Sequence, residues 1–503
     1  MGIILAKRAL MRSTLRNLLA TSLALAYPLA VGCSDQEFPP PVIDTGIGGA
    51  DSTTGGFFEG SVITVGSGVV MPPGLWTKRY GDAEDQKAAA LAVNEAGDIA
   101  LTGSARGTID FGNVPWTGSA TDSDVFIAKL SREGQSQWSR RYGDSCDQNG
   151  SAVALTPTGD VFIAGDFCGK MDFGDTTLEA AAGERDIFVA VIDDIGEDVY
   201  SRRIGGAGPQ YARAAAVDAK GNALLVGSFE KAFDDGSGPV TSAGMDDAFV
   251  IKLDPKGTVL WSQRLGGLGA DIARAVAVDK DSNVIVGGSF EDSVDFGGGP
   301  IDAAPGHSSA FVLALDPNGK HLWSRTFTVD DESVVNGLAV SSAGLIAVTG
   351  SFAGSADFGH GLVASAGAED AFLALLHSDG TPSWSYTTGG PQSQIGNGVA
   401  FGEGGDVALS ITSQDMLELG VSGVYPPSSA TSPGLLYLVR FSGGGDPYAV
   451  RSFAGTAALE SVGVGLDQKF GLVAAGSFQK TLDNGFGAFD SLGGWDVFVS
   501  HSE

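Results

Sequence analysis

One motif returns through most of this chain at nearly constant spacing, and that regularity narrows the possible folds more than any other feature. An aromatic residue opens the segment Trp-Ser-Arg-Arg-Tyr-Gly at Trp138, and its counterparts stand at Trp76, Tyr200, Trp261, Trp323 and Trp384. The intervals are 62, 62, 61, 62 and 61 residues, and a degenerate seventh copy opens near Ala449. Each copy reads as an Ala/Val strand, a Gly turn, a second strand ending in Gly, an Asp-Phe-Gly corner, an apolar third strand and another Gly turn. In the third copy these are residues 212–217, 221–222, 223–227, 234–236, 248–253 and 254–257, after which Trp261 begins the fourth strand.

Segments such as 186–192 and 310–315 are apolar along almost their whole length, as expected of strands covered on both faces. A four-stranded sheet of this kind cannot stand alone. Stacking copies around an axis covers both faces of each, so the sequence predicts an all-β chain: a seven-bladed β-propeller of four-stranded antiparallel blades over residues 74–503. An open solenoid would use the same repeat but would need polar caps at its ends. The first copy instead begins with a lone fourth-type strand, 75–80, and the last stops after its third-type strand, 496–500. The N-terminal strand is therefore expected to complete the C-terminal blade and remove an open edge.

The consensus Trp-Ser-x-Arg-x-Gly-Gly-x-Gly-x-Asp-x-Ala-x-Ala-Val-Ala-Val-Asp-x-x-Gly-Asn resembles the bacterial repeat family called SBBP, the seven-bladed beta-propeller family. The resemblance spans the seven copies and is closest in the third and fourth. It implies the propeller fold and a setting outside the cytoplasm, and it implies no shared reaction.

The first 32 residues fit an export signal. Lys7, Arg8, Arg12 and Arg16 precede an apolar run, 18–31, that is too short for a membrane span. The run ends in Ala30-Val31-Gly32-Cys33, which resembles a lipobox, with Leu29 one place early. Cys33 is the expected lipidated residue, Met11 is an alternative start, and Ser34 points by resemblance to the outer membrane. Residues 33–73 are rich in Gly, Ser, Thr, Pro and acids and read as a flexible tether. The formal charge is −30; removing four bases leaves 26 against 60 acids, or −34. Such a surface disfavours nucleic acid and anionic headgroups. Membrane attachment is expected through the lipid alone, and the chain is expected to be a monomer.

Recurrent acids sit between the second and third strands at Asp110, Asp172, Asp234, Asp295, Asp357, Glu418 and Asp483. A ring of carboxylates offers oxygen ligands to Ca2+ or a cationic ligand. The competing reading is a turn in which Asp before Gly bonds its own backbone, and the regular recurrence favours it. The leading loops of the first two copies share Gly-Asp-x-x-Asp-Gln, with Asp82, Asp85 and Gln86 matched by Asp144, Asp147 and Gln148; they suit a cation, a sugar or plain solvation. Acids before the third strand, Asp124, Asp186, Asp247, Asp370 and Asp496, read as backbone partners at strand starts, with Ser309 and Leu436 in the other two copies. Cys146 and Cys168 are expected on one face of the second copy and, outside the cytoplasm, to form a disulfide.

Histidines 307, 321, 360, 377 and 501 lack metal-ligand spacing and read mostly as surface residues. No nucleophile elbow or phosphate loop is present. The turns before Trp261 and Trp323 resemble sialidase Asp-boxes and quinoprotein repeats, but Trp follows Gly by four places, and neither an arginine cluster nor vicinal cysteines accompany them. The function expected is a non-catalytic envelope lipoprotein that engages a protein or glycan through its loops. An extracytoplasmic hydrolase or lyase using acidic loop residues and an outer-membrane assembly role are the alternatives.

Overall fold

The computed structural model describes residues 74–502, apart from 182, 403, 415, 418, 420–433 and 470. The signal, Cys33, the tether and Glu418 lie outside the described residues. Only strands, turns and loops occur among the described residues. Five separate four-stranded antiparallel sheets follow one another along the chain, and two further arrays of four are joined in an eight-stranded sheet. The third sheet is typical, with strands Gln210–Val217, Ala223–Phe229, Asp247–Leu253 and Val259–Leu265 paired in chain order. Every residue of its third strand is buried, as is true of Asp124–Leu130, Asp186–Ile192, Ser309–Leu315 and Asp370–Leu376. Full burial of each Val, Leu or Phe contributes about 1.5–3 kcal/mol, and it is gained only because a neighbouring sheet covers each face. This is the architecture of β-propeller blades.

The leading strands lie side by side. Gln86–Val93 packs on Asn149–Leu155, and the series continues through Gln210–Val217, Ile272–Val278, Ser333–Val340, Gln394–Phe401 and Leu459–Leu466. The last of these also packs on Gln86–Val93. The final array comprises Leu459–Leu466, Leu472–Asp483, Ala488–Ser502 and Trp76–Tyr80, with register running from Trp76 opposite His501 to Tyr80 opposite Val497. Around this pairing, Arg132 bonds Asp467, Gln468 donates to Glu95 at 2.8 Å, and the Trp495 amide donates to Asp85 at 3.0 Å.

The repeated aromatic is a sheet-to-sheet lock. The indole N–H of Trp76, Trp138, Trp261, Trp323 and Trp384 donates at 2.9–3.1 Å to a carbonyl in the third turn of the following sheet. A glycine of that same turn lies against the ring. Gly319 has φ +84°, and a Cβ there would stand 3.2 Å from the Trp261 ring. Only glycine combines the left-handed turn with so close an approach.

The corner expected between second and third strands is built differently. It is a two-stranded hairpin in most sheets, for example Lys170–Asp172 with Thr177–Glu179 and Ser293–Asp295 with Pro300–Asp302. Each first strand buries its middle residue, Met171 or Val294, and exposes both neighbours. The following Phe reaches the preceding sheet: Phe111 meets Tyr80 at 4.6 Å and Phe173 meets Tyr142 at 4.4 Å between ring centroids. The hairpin is thus an outer clasp, a role that three-residue strands do not announce in a sequence.

Candidate functional site

The recurrent acids serve separate turns. Asp110, Asp172, Asp234, Asp295, Asp357 and Asp483 each accept the amide N–H of the glycine two residues ahead, at 2.7–2.9 Å. Asp234, Asp295 and Asp357 accept a second amide two residues further on. Those amides hold the Asp357 carboxyl below its ordinary ionisation range. Among the described residues no three His, Cys, Asp or Glu side chains gather as a group that could hold a metal ion.

The acids before the third strand have a partner that sequence reasoning missed. Asp186 receives the Ala181 amide at 2.8 Å, as expected, but also the Arg203 guanidinium at 2.5 Å. Arg79 with Asp496 at 2.5 Å, Arg264 with Asp247 at 3.0 Å, and Arg141 with Asp124 repeat the pair. The arginine comes from the repeated Trp-Ser-x-Arg segment on the fourth strand. In the fourth sheet both partners change together, to Ser309 and Thr326, whereas the fifth keeps Asp370 but has Thr387 in the arginine's place. Burial raises the Asp370 carboxyl, and there no arginine pulls it back.

Cys146 and Cys168 are joined by a disulfide with Cα atoms 6.0 Å apart. It ties the leading loop of the second sheet to the end of its second strand. Of the leading-loop acids, Asp82 and Asp144 are committed within their own sheets. Asp82 accepts the Glu84 and Thr108 amides and the Gln86 side chain, and Asp144 accepts from Gln148 and Lys170 in the same way. Of the histidines expected at the surface, His501 is buried, with Nδ1 2.7 Å from the Gly74 carbonyl.

Beside these loops a cavity of about 550 Å³ opens across four neighbouring arrays. Trp495 comes from the last array, Lys87 and Arg106 from the first sheet, Asp147, Asp166 and Arg185 from the second, and Tyr211 from the third. The Lys87 ammonium sits 3.8 Å from the Trp495 ring centroid and 3.0 Å from Glu460. Arg185 holds Asp166 at 2.6 Å, and Arg106 approaches Asp147 at 3.9 Å. Burial raises the Asp166 carboxyl, and Arg185 draws it back toward ionisation. Asp147, bonded by the Ser123 amide, is lowered.

Two register positions on the leading strands give this region its character. Lys87, Asn149 and Tyr211 line the cavity, and the equivalent positions in the next three sheets are the half-buried Ile272, Val334 and Ile395. The first three are polar and the next three apolar. Two residues on, every leading strand slips register by one residue, a β-bulge. The bulged residues are Ala89, Ser151, Arg213, Arg274, Asn336, Asn397 and Val462. Neither position was singled out from sequence. The available signal was the break in repeat symmetry inside an otherwise uniform Ala/Val strand.

No family model matches the chain. The WD repeat-containing protein L264 of Acanthamoeba polyphaga mimivirus is 25% identical over 158 residues, 29% of this chain and 10% of that protein. Regulatory protein FlaEY of Caulobacter vibrioides is 27% identical over 198 residues, 37% of this chain and 20% of its own length. The matched segments thus span only a tenth to a fifth of these relatives. Among solved structures, Sqt1 from Chaetomium thermophilum has a TM-score of 0.39 at 12% identity, covering 85% of this chain and 100% of Sqt1. YCF48 bound to a D1 peptide has a TM-score of 0.39 at 8% identity, covering 86% of this chain and 96% of YCF48.

Proposed function

We propose that the chain is a non-catalytic binding scaffold: seven blades closed into a ring, with the cavity beside the leading loops as its recognition site. The observation that carries the binding reading is the convergence of Lys87, Arg106, Arg185, Tyr211 and Trp495 from four neighbouring arrays on one cavity. Binding residues concentrate where a rigid framework presents loops, and aromatic and arginine side chains are the usual anchors of protein interfaces. The apolar positions Ile272, Val334 and Ile395, at the same register on the next three leading strands, offer half-buried surface suited to a protein partner. Ring closure is supported by the pairing of Trp76–Tyr80 with the final strand and by the packing of Leu459–Leu466 on Gln86–Val93.

The lipobox-like segment at Cys33 and the family resemblance support placement on the outside of the cell envelope, anchored through lipid. A Cys33→Ser variant should leave the membrane fraction for the soluble one. Retention in the membrane would reject the anchor. For the binding reading, immobilised wild-type chain is offered native envelope extract in parallel with a glycan array and a panel of hydrolase and lyase substrates. Specific capture of an envelope protein, lost in Arg106→Ala/Arg185→Ala, is the expected result. Glycan retention with the same dependence would replace the protein partner, and turnover abolished by mutation of one loop acid would replace the scaffold with an enzyme.

A further inference from the structure

Arg213 and Arg274 occupy the bulge positions of adjacent leading strands, Gln210–Val217 and Ile272–Val278, which pack on each other. Both are half-buried. Neither forms an ion pair within 4.0 Å, and the Nε atom of each is buried with no hydrogen-bond partner among the described residues. Other arginines, such as Arg325 and Arg451, also lack a carboxylate, but Arg213 and Arg274 lie close enough to repel each other. Elsewhere in the fold, arginines such as Arg79, Arg185 and Arg203 hold an aspartate. Burial makes both guanidinium charges costly, and Arg274 is further disfavoured by the charge of Arg213. Asp246 and Asp166 face Arg213 from a greater distance and partly offset its charge. The Arg213 guanidinium lies 5.9 Å from the ring of Tyr211, which lines the cavity.

We infer that Arg213 and Arg274 form a carboxylate-binding pair, with Arg213 beside the cavity-lining Tyr211, ready to take an acidic group of the bound partner. Two guanidinium forks satisfy a planar carboxylate with paired N–H donors, and that anion cancels the repulsion between them. The nearby Asp166 and Asp246 oppose a dianion, so a singly charged carboxylate fits better than phosphate or sulfate. This deepens the binding reading by naming the chemistry of one contact, and it is read with a small probe, so the two can fail separately.

The purified full-length chain is melted in acetate, phosphate, sulfate or chloride at equal ionic strength and pH 8. Acetate should raise the wild-type Tm by about 2–4 °C over chloride through preferential binding to the folded state. The shift should vanish in Arg213→Gln/Arg274→Gln. Arg274→Gln alone should melt no lower than wild type in chloride, because it removes a buried charge that repels its neighbour. An acetate shift absent from wild type, or retained in the double variant, would overturn the site. A larger shift with phosphate or sulfate that is likewise lost in the double variant would overturn the carboxylate assignment, and a marked loss of stability in Arg274→Gln would give the arginine a structural role instead.

Discussion

Asp271 shows how one residue in a repeat carries a cost that its counterparts avoid. Gln86, Gln148, Gln210 and Gln394 fill the same position, all buried. Asp271 accepts the Gly267 amide at 2.7 Å, but burial raises its carboxyl to about 7, with the charges of Asp247 and Glu291 adding to the effect. A folded-state value above the ordinary one favours the protonated folded form. That contribution is complete below the unfolded value and is lost as pH rises through about 7. Asp271→Gln should therefore exceed wild-type stability by on the order of 2 kcal/mol at pH 8, with the gap closing toward pH 4. Denaturant unfolding of both chains across that range checks it; a gap independent of pH would contradict the assignment. At the aromatic lock, Gly319→Ala should cost about 1–2 kcal/mol, because alanine must enter the left-handed region and press on Trp261. An unchanged melting curve would remove the close approach from the account.

Among elements, the two sets of recurrent aspartates make opposite predictions. Asp172 is exposed and caps one turn, so Asp172→Ala should cost no more than about 1 kcal/mol. Asp186 is buried between a backbone amide and Arg203, so Asp186→Ala should cost about 2–3 kcal/mol, moderated because the arginine is partly solvated. Equal losses in the two variants would deny the distinction. This contrast marks what was legible in the sequence. The strands of the third sheet fall within two residues of the expected limits, since period and turn residues fix them. The Asp-to-Arg pairs were missed because the partners lie on different strands, 17 residues apart, and meet only through sheet register. The outer hairpins were missed because strands of two or three residues have too little alternation to register. The bulged arginines were hidden for a related reason: a single extra residue leaves the surrounding Ala/Val pattern intact. The candidate cavity was therefore largely illegible, although its loops had been noticed for their acids.

At the scale of the molecule, the blades support one another, and the terminal strand matters beyond its five residues. Trp76–Tyr80 supplies the Trp76 lock, the Arg79 partner of buried Asp496 and the Tyr80 ring under Phe111. Removing 74–80 should lower Tm by about 10 °C or more and broaden the transition, since one sheet loses an edge and its neighbour loses a cover. Melting with the wild-type midpoint and width would argue that the N-terminal strand is dispensable.

The ring closure on which the placement of every loop depends is tested most directly by joining Trp76–Tyr80 to the final strand where they pair. Thr77 and Ser500 stand opposite each other in register, with hydroxyl oxygens 2.9 Å apart. In Thr77→Cys/Ser500→Cys, mild oxidation of the native chain should yield near-complete crosslinking of residues 77 and 500, mapped by mass spectrometry of the digest. Two thiols that stay free under those conditions, while the Cys146–Cys168 bridge remains intact, would contradict the shared blade.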